Sequence, residues 1–132
     1  MQIRKSSGCV IYKESKGEIK ILLVTSSSGK DWVFPKGGIE ARMTKRSSAA
    51  KEVYEEAGVE GEVGVKLGKY RAFRNNRISE VTVFAMRYTG ESKDWPEANR
   101  RKRRWFKPEQ AMKAAGPYLA PFIVDLMDRV AN

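Results

Sequence analysis

Apolar, β-branched runs recur along the first part of the chain, and helical patterns enter later. Ser7 to Tyr12 (SGCVIY) and Ile19 to Thr25 (IKILLVT) are two such runs. The polar segment Lys13 to Glu18 between them predicts a hairpin. Trp32-Val33-Phe34 predicts a short strand that Pro35 ends, because the residue before a proline is held extended. The period then changes. Thr44 suits an N-cap, a helix is predicted from Lys45 to Ala57, and Gly58 supplies the left-handed residue that stops it. Strand alternation resumes over Gly61 to Phe73 and again over Glu80 to Tyr88, with Arg74-Asn75-Asn76-Arg77 as the turn between them. Arg103 to Lys107 predicts a short strand. Pro108 opens a helix over Glu109 to Ala115, which Gly116-Pro117 stops. Leu119 to Val130 predicts a closing amphipathic helix with Phe122, Leu126 and Val130 along one side, its regular part beginning near Pro121. No repeat, low-complexity tract or boundary divides the 132 residues. One domain, 1–132, is expected, large enough to bury roughly two thirds of its unfolded surface.

The predicted helix Lys45 to Ala57 carries Glu52, Glu55 and Glu56 within one turn, on one face. Like charges so placed repel by a few tenths of a kcal/mol per pair, which favours a cation between them. Oxygen-only donors suit Mg²⁺ or Mn²⁺, and Mg²⁺ is usually held by a few carboxylates together with substrate phosphate oxygens. Taken alone, three glutamates would describe a solvated acidic face. They occur, however, with Phe34-Pro35-Lys36-Gly37-Gly38, Glu40 and the Gly58 stop at fixed spacing.

Gly37 to Val59 (GGIEARMTKRSSAAKEVYEEAGV) resembles the Nudix box: a glycine, five residues, a glutamate, seven residues, then Arg-Glu-aliphatic-x-Glu-Glu-x-Gly-aliphatic. Two positions depart. The box glutamate falls on Met43, and the box arginine is Lys51, which keeps the charge without the planar fork that grips a carboxylate twice. Glu40 stays in the loop as a candidate substitute. KEVYEEAGVEGEVGVKLGKY and KDWPEANRRKRRWF look like two tracts of the diphosphoinositol polyphosphate phosphohydrolase branch. Arg104 stands where that branch has glutamate, and Lys36 where it has the first of three glycines.

The resemblance covers nearly the whole chain and implies an α/β fold, the Nudix α/β/α sandwich around a mixed sheet. It implies Glu52 and Glu56 as metal ligands, Glu55 as a further ligand or the base, and the Lys36 carbonyl as a backbone ligand. Lys36, Gly37, Gly38, Arg101 and Arg103 are expected to meet substrate, and Glu40 and Lys51 to orient the glutamates. The implied activity is metal-dependent hydrolysis of a phosphoanhydride in a highly phosphorylated small molecule, a diphosphoinositol polyphosphate or a dinucleoside polyphosphate. Alternatives are a nucleotide-sugar, nucleoside triphosphate or RNA 5′-end pyrophosphohydrolase, and a catalytically quiet binding module.

Charge agrees with a polyanionic ligand. There are 26 Lys and Arg against 16 Asp and Glu, a net charge of +10, and the acidic excess is local to the glutamate helix. RNA would be attracted as well, although for any single lysine solubility is the commoner role. Lys45 and Arg46 oppose the helix dipole, an inconsistency of the kind that accompanies phosphate contacts. Arg100-Arg101-Lys102-Arg103-Arg104 would alternate on a strand, with Arg101 and Arg103 as one set and the other three as the second. Trp32, Tyr70, Phe73, Trp95 and Trp105 are aromatics that could stack a base, though a core would bury most of them. With no histidine in the chain, base chemistry near neutral pH falls to a carboxylate or to a water acidified by metal. The single Cys9 reads as a small core residue in a reducing compartment. No run is long enough to span a membrane, and Met1 to Lys5 lacks a signal-peptide core, so the cytoplasm is the expected compartment. No feature of the sequence specifies an oligomeric state.

Overall fold

In the computed structural model, which describes residues 2–74 and 76–130, strands β1 (Ile3–Ser15) and β2 (Glu18–Thr25) form the first hairpin. It is longer than the apolar runs alone predict. Antiparallel pairing continues to Ser15↔Glu18, leaving only Lys16-Gly17 as the turn, because backbone pairing does not require apolar side chains once the register is set. Two short strands follow, β3 (Trp32–Val33) and β4 (Lys36–Gly38), then helix α1 (Lys45–Ala57). The chain continues as β5 (Val59–Arg74), β6 (Arg77–Glu91) and β7 (Arg103–Phe106), and closes with α2 (Pro108–Ala115) and α3 (Ala120–Val130). The predicted β5–β6 turn includes Asn75, which lies outside the described residues; Arg74 pairs with Arg77 across it.

The sheet runs β3-β2-β1-β6-β5, with β4 on β1 and β7 on β2. The β1–β6 pair is parallel and the others are antiparallel, so the sheet is mixed. Side-chain alternation builds a core on each face. Cys9, Ile11, Leu22, Val24, Phe84 and Met86 face Ala49, Val53 and Ala57 of α1. Their neighbours Val10, Ile21, Leu23, Val83 and Ala85 face Ala111 of α2 and Ile123 and Leu126 of α3. The result is the expected α/β/α sandwich. Cys9 is fully buried and burial pushes its thiol up to about 12, which leaves it unreactive. Among the described residues no helix is long and apolar enough to cross a membrane.

Candidate active site

Helix α1 is fixed at both ends by local chemistry. The Thr44 hydroxyl accepts from Ser47 N–H at 3.0 Å, and Ser47 Oγ accepts from Thr44 N–H at 3.0 Å, a capping box with serine in the usual glutamate place. At the other end Gly58 takes the left-handed conformation, φ 68°. A helix leaves its last carbonyls without internal partners. Here Tyr54 O accepts from Gly58 N–H at 2.9 Å, Glu55 O from Glu97 N–H at 3.0 Å, Glu56 O from Trp95 Nε1 at 2.9 Å and Ala57 O from Arg103 Nη1 at 2.9 Å. The tract 92–103 thus closes the end of the helix that carries Glu55 and Glu56.

That closure determines the fate of the basic cluster. Because β7 begins only at Arg103, the strand alternation expected across 100–104 does not apply. Arg103 stacks its guanidinium on Trp95 at 4.0 Å and pairs with Glu91 at 2.9 Å. It lies outside the cavity lining and is placed as a helix cap rather than beside Arg101 as a substrate clamp. Arg101 turns the other way, into the cavity. Arg46 likewise has a structural task instead of a phosphate contact: Nη1 donates to Val63 O at 3.2 Å and Gly64 O at 2.6 Å, and the guanidinium lies 5.0 Å from the Phe84 ring.

A cavity of about 1270 Å³ opens beside α1 and β4, lined by Glu52 and Glu56 together with Lys36, Gly37, Gly38, Glu40 and Arg101. The segment Lys36–Gly38, which follows the strand-ending Pro35, is itself a strand paired with β1 through Ser7↔Gly37. A Cβ on Gly37 would overlap the Glu52 carboxylate, and one on Gly38 the Arg4 guanidinium. The two glycines therefore make room for an acid and a base side by side. Glu56 is 7% exposed. It accepts from Lys36 N–H at 3.1 Å and lies 3.3 Å from Arg101 Nη2. Burial pushes its carboxyl up to about 7, against the pull of Arg101 and the Lys36 N–H. Burial also raises Glu52, with the Glu55 charge adding to it.

Glu55 faces elsewhere. Lys51 Nζ bonds Glu40 at 2.8 Å and Glu55 at 2.5 Å, so Lys51 ties the loop to the helix and its ammonium is held charged, first by Glu40 and then by Glu55. Neither Lys51 nor Glu55 lines the cavity. The polar and charged lining residues Arg4, Lys5, Ser26, Asp31 and Arg77 are among those the sequence left unmarked. Parallel pairing of β1 with β6 sets Arg4 beside Ser79, a juxtaposition for which no local pattern gives a signal. Of the five aromatics, Tyr70 is buried, Trp32 packs edge-on to Phe106 at 5.2 Å, Trp105 edge-on to Tyr88 at 5.1 Å, and Trp95 lies under Arg103. Phe73 is 68% exposed and lines the cavity.

The NUDIX domain profile matches residues 2–126. The chain belongs to the NUDIX domain family. It is 40% identical over 118 residues to Nudix hydrolase 4 of Arabidopsis thaliana, covering 82% of this chain and 57% of that protein. It is 38% identical over 113 residues to diphosphoinositol polyphosphate phosphohydrolase 2 of Rattus norvegicus, covering 83% and 62%. The chain thus spans about three fifths of the length of these curated relatives. The crystal structure of a C. elegans Ap4A hydrolase binary complex superposes with a TM-score of 0.85 at 19% identity, over 98% of both chains, which establishes the Nudix fold.

Members of this family generally need a divalent metal ion. Among the described residues, no three His, Cys, Asp or Glu side chains converge as a ready-made cage. Glu52 and Glu56 nonetheless fit such an ion: they are hard oxygen donors, partly or fully withdrawn from water, and they face a cavity kept open by glycine. Mg²⁺ is commonly bound by one or two carboxylates and completed by waters and substrate phosphates.

Proposed function

We propose that this Nudix domain is a pyrophosphohydrolase that cleaves a phosphoanhydride in a highly phosphorylated small molecule, using Mg²⁺ or Mn²⁺, as one catalytic domain over 1–132 and in the cytoplasm. The observation that carries the reading is the pairing, in one cavity, of the half-buried Glu52 and the buried Glu56 with the cations Arg4, Lys5, Lys36, Arg77 and Arg101. Acids alone would repel phosphate, and cations alone would bind it without hydrolysis.

Glu52 and Glu56 are the side chains that would hold metal, with the Lys36 carbonyl as a backbone ligand. A bound divalent ion supplies charge neutralisation of the diphosphate and a water acidic enough to react near neutral pH. The chain supplies the rest. Arg4, Lys36 and Arg77 receive the outer phosphates, the Lys36 N–H holds one Glu56 oxygen in place, and Glu55, in the same turn of α1 as Glu52 but bonded to Lys51 outside the cavity lining, is the remaining candidate for the base. Positioning and electrostatics account for most phosphoryl-transfer catalysis.

The density of cations favours a diphosphoinositol polyphosphate or dinucleoside polyphosphate, in line with the names of the rat and nematode relatives. A second reading, a substrate carrying a single base such as a nucleoside triphosphate or an RNA 5′ end, has Phe73 in its favour, an exposed ring at the cavity. A panel of inositol pyrophosphates, dinucleoside polyphosphates, nucleoside triphosphates and capped RNA, assayed with Mg²⁺, with Mn²⁺ and in chelator, tests both. Turnover independent of metal, or none on any member, overturns the proposal.

A further inference from the structure

Outside the box, one residue touches the machinery of the site at two points. The backbone N–H of Glu97 caps Glu55 O at 3.0 Å, and its carboxylate accepts from Arg101 Nε at 2.9 Å. Arg101 Nη1 donates to the Thr25 carbonyl at 2.9 Å, and Nη2 reaches Glu56 Oε2 at 3.3 Å. All three charged side chains are withdrawn from water: counting side-chain atoms alone, Arg101 is 14% exposed, Glu56 9% and Glu97 17%. The spacing of Glu97 and Arg101 is four residues, and Arg101 N–H also donates to Glu97 O at 2.9 Å, so the two are fixed to one another as on a helical turn.

The order of these contacts matters. The guanidinium is anchored by its two shorter bonds, to Glu97 and to β2, and meets Glu56 only by the longest of the three. A buried guanidinium without Glu97 would have Glu56 as its sole carboxylate partner and would close on it. A carboxylate fully engaged by arginine is a poor ligand for a divalent ion, because cation and guanidinium compete for the same oxygens.

We propose that Glu97 is a positioning residue that holds Arg101 back from Glu56 and so keeps the Glu56 carboxylate available to a divalent cation. This inference rests on the metal-dependent reading given above. Partners of ligating carboxylates commonly alter metal affinity by about tenfold or more, and the effect here runs through Arg101.

The test is Mn²⁺ binding by electron paramagnetic resonance on the whole chain, with circular dichroism and thermal midpoints in chelator to verify the fold. Glu97→Gln is expected to weaken Mn²⁺ binding about tenfold, and Glu97→Asp, which keeps the charge on a shorter stem, to weaken it less. In an Arg101→Gln background, Glu97→Gln is expected to have no further effect, since the guanidinium it restrains is gone. A merely structural Glu97 would lower affinity equally in both backgrounds, and that result overturns the inference, as does unchanged affinity in folded Glu97→Gln. Should Glu97→Gln fail to fold, Glu97→Asp carries the test, and wild-type affinity in that variant overturns the inference. Failure of the wild type itself to bind Mn²⁺ sinks the metal-dependent reading and this inference with it; normal binding in the wild type with an indifferent Glu97 sinks this inference alone.

Discussion

The helices on the two faces of the sheet are held by different forces. On one face, Ala111 of α2 and Ile123 and Leu126 of α3 are fully buried, and the helices are fixed by apolar contact with Val10, Leu23 and Val83. On the other, α1 offers its core the small side chains Ala49, Val53 and Ala57, with Ala50 packed beside them. Its position is set by polar bonds from Ser47, Glu97, Trp95 and Arg103 at its ends and from Ser48 Oγ to Gly38 O at 3.3 Å along its side. Apolar burial is strong and non-directional, whereas hydrogen bonds are individually modest but fix geometry. A face that need only be stable uses the first. A face that must hold carboxylates to within about half an ångström uses the second.

This division breaks most visibly at Glu56. Glu56→Gln is expected to lower turnover by about a thousandfold or more while circular dichroism stays native; retention of activity in that variant would remove α1 from the chemistry. Leu126→Ala is the opposite case. It should cost about 2–5 kcal/mol of unfolding free energy in urea and leave turnover of the folded fraction within about twofold. A large fall in the turnover of folded protein would mean that the two faces are coupled.

The polar face also predicts a pH signature. In chelator, the folded protein holds a proton on Glu56 up to about pH 7, whereas the unfolded chain releases it near the ordinary value of 4.5. The folded state then binds more protons across that window, so stability falls as pH rises through it. The Glu56 contribution is present below 4.5 and lost above about 7. Unfolding free energies of wild type relative to Glu56→Gln should therefore decline from pH 4.5 to 7, and a flat difference would show a solvated carboxyl.

Trp95→Phe removes the donor to Glu56 O while keeping a smaller aromatic ring under Arg103. It should cost about 1 kcal/mol of stability but about tenfold in turnover, since small misplacement of reacting groups is costly in rate. Equal, slight effects on both would demote the tract 92–103 to packing. The smallest change is expected at the departures from the box. Lys51 already bridges Glu40 and Glu55, so Lys51→Arg should hold turnover or raise it by a few-fold through a second bond, and Met43→Glu should do likewise. Loss of turnover in either would mean that the box is aligned to the wrong residues.

Helix α1 was legible in the sequence nearly to the residue, because Thr44, Gly58 and the helical period act within one or two turns of chain. So was the assignment of strands to a two-faced sheet, since alternation along β1, β2 and β6 already separates Val10 from Cys9 and Ile11. Even the identities of Glu52, Glu55 and Glu56 lay in a single local spacing. What the sequence could not carry was the fate of each charge. Arg101 meets Glu56 across 45 residues and Arg103 meets Ala57 across 46, and nothing in a run of five cations says which turns inward, which caps a helix and which stays in water. The same holds for Gly37 and Gly38, whose missing side chains are occupied by Glu52 and by Arg4 from another strand. Local propensity is a property of neighbours in the chain and is written there. The partner of a buried charge is chosen by strand order and register, which bring distant residues together, and only the folded sheet decides it.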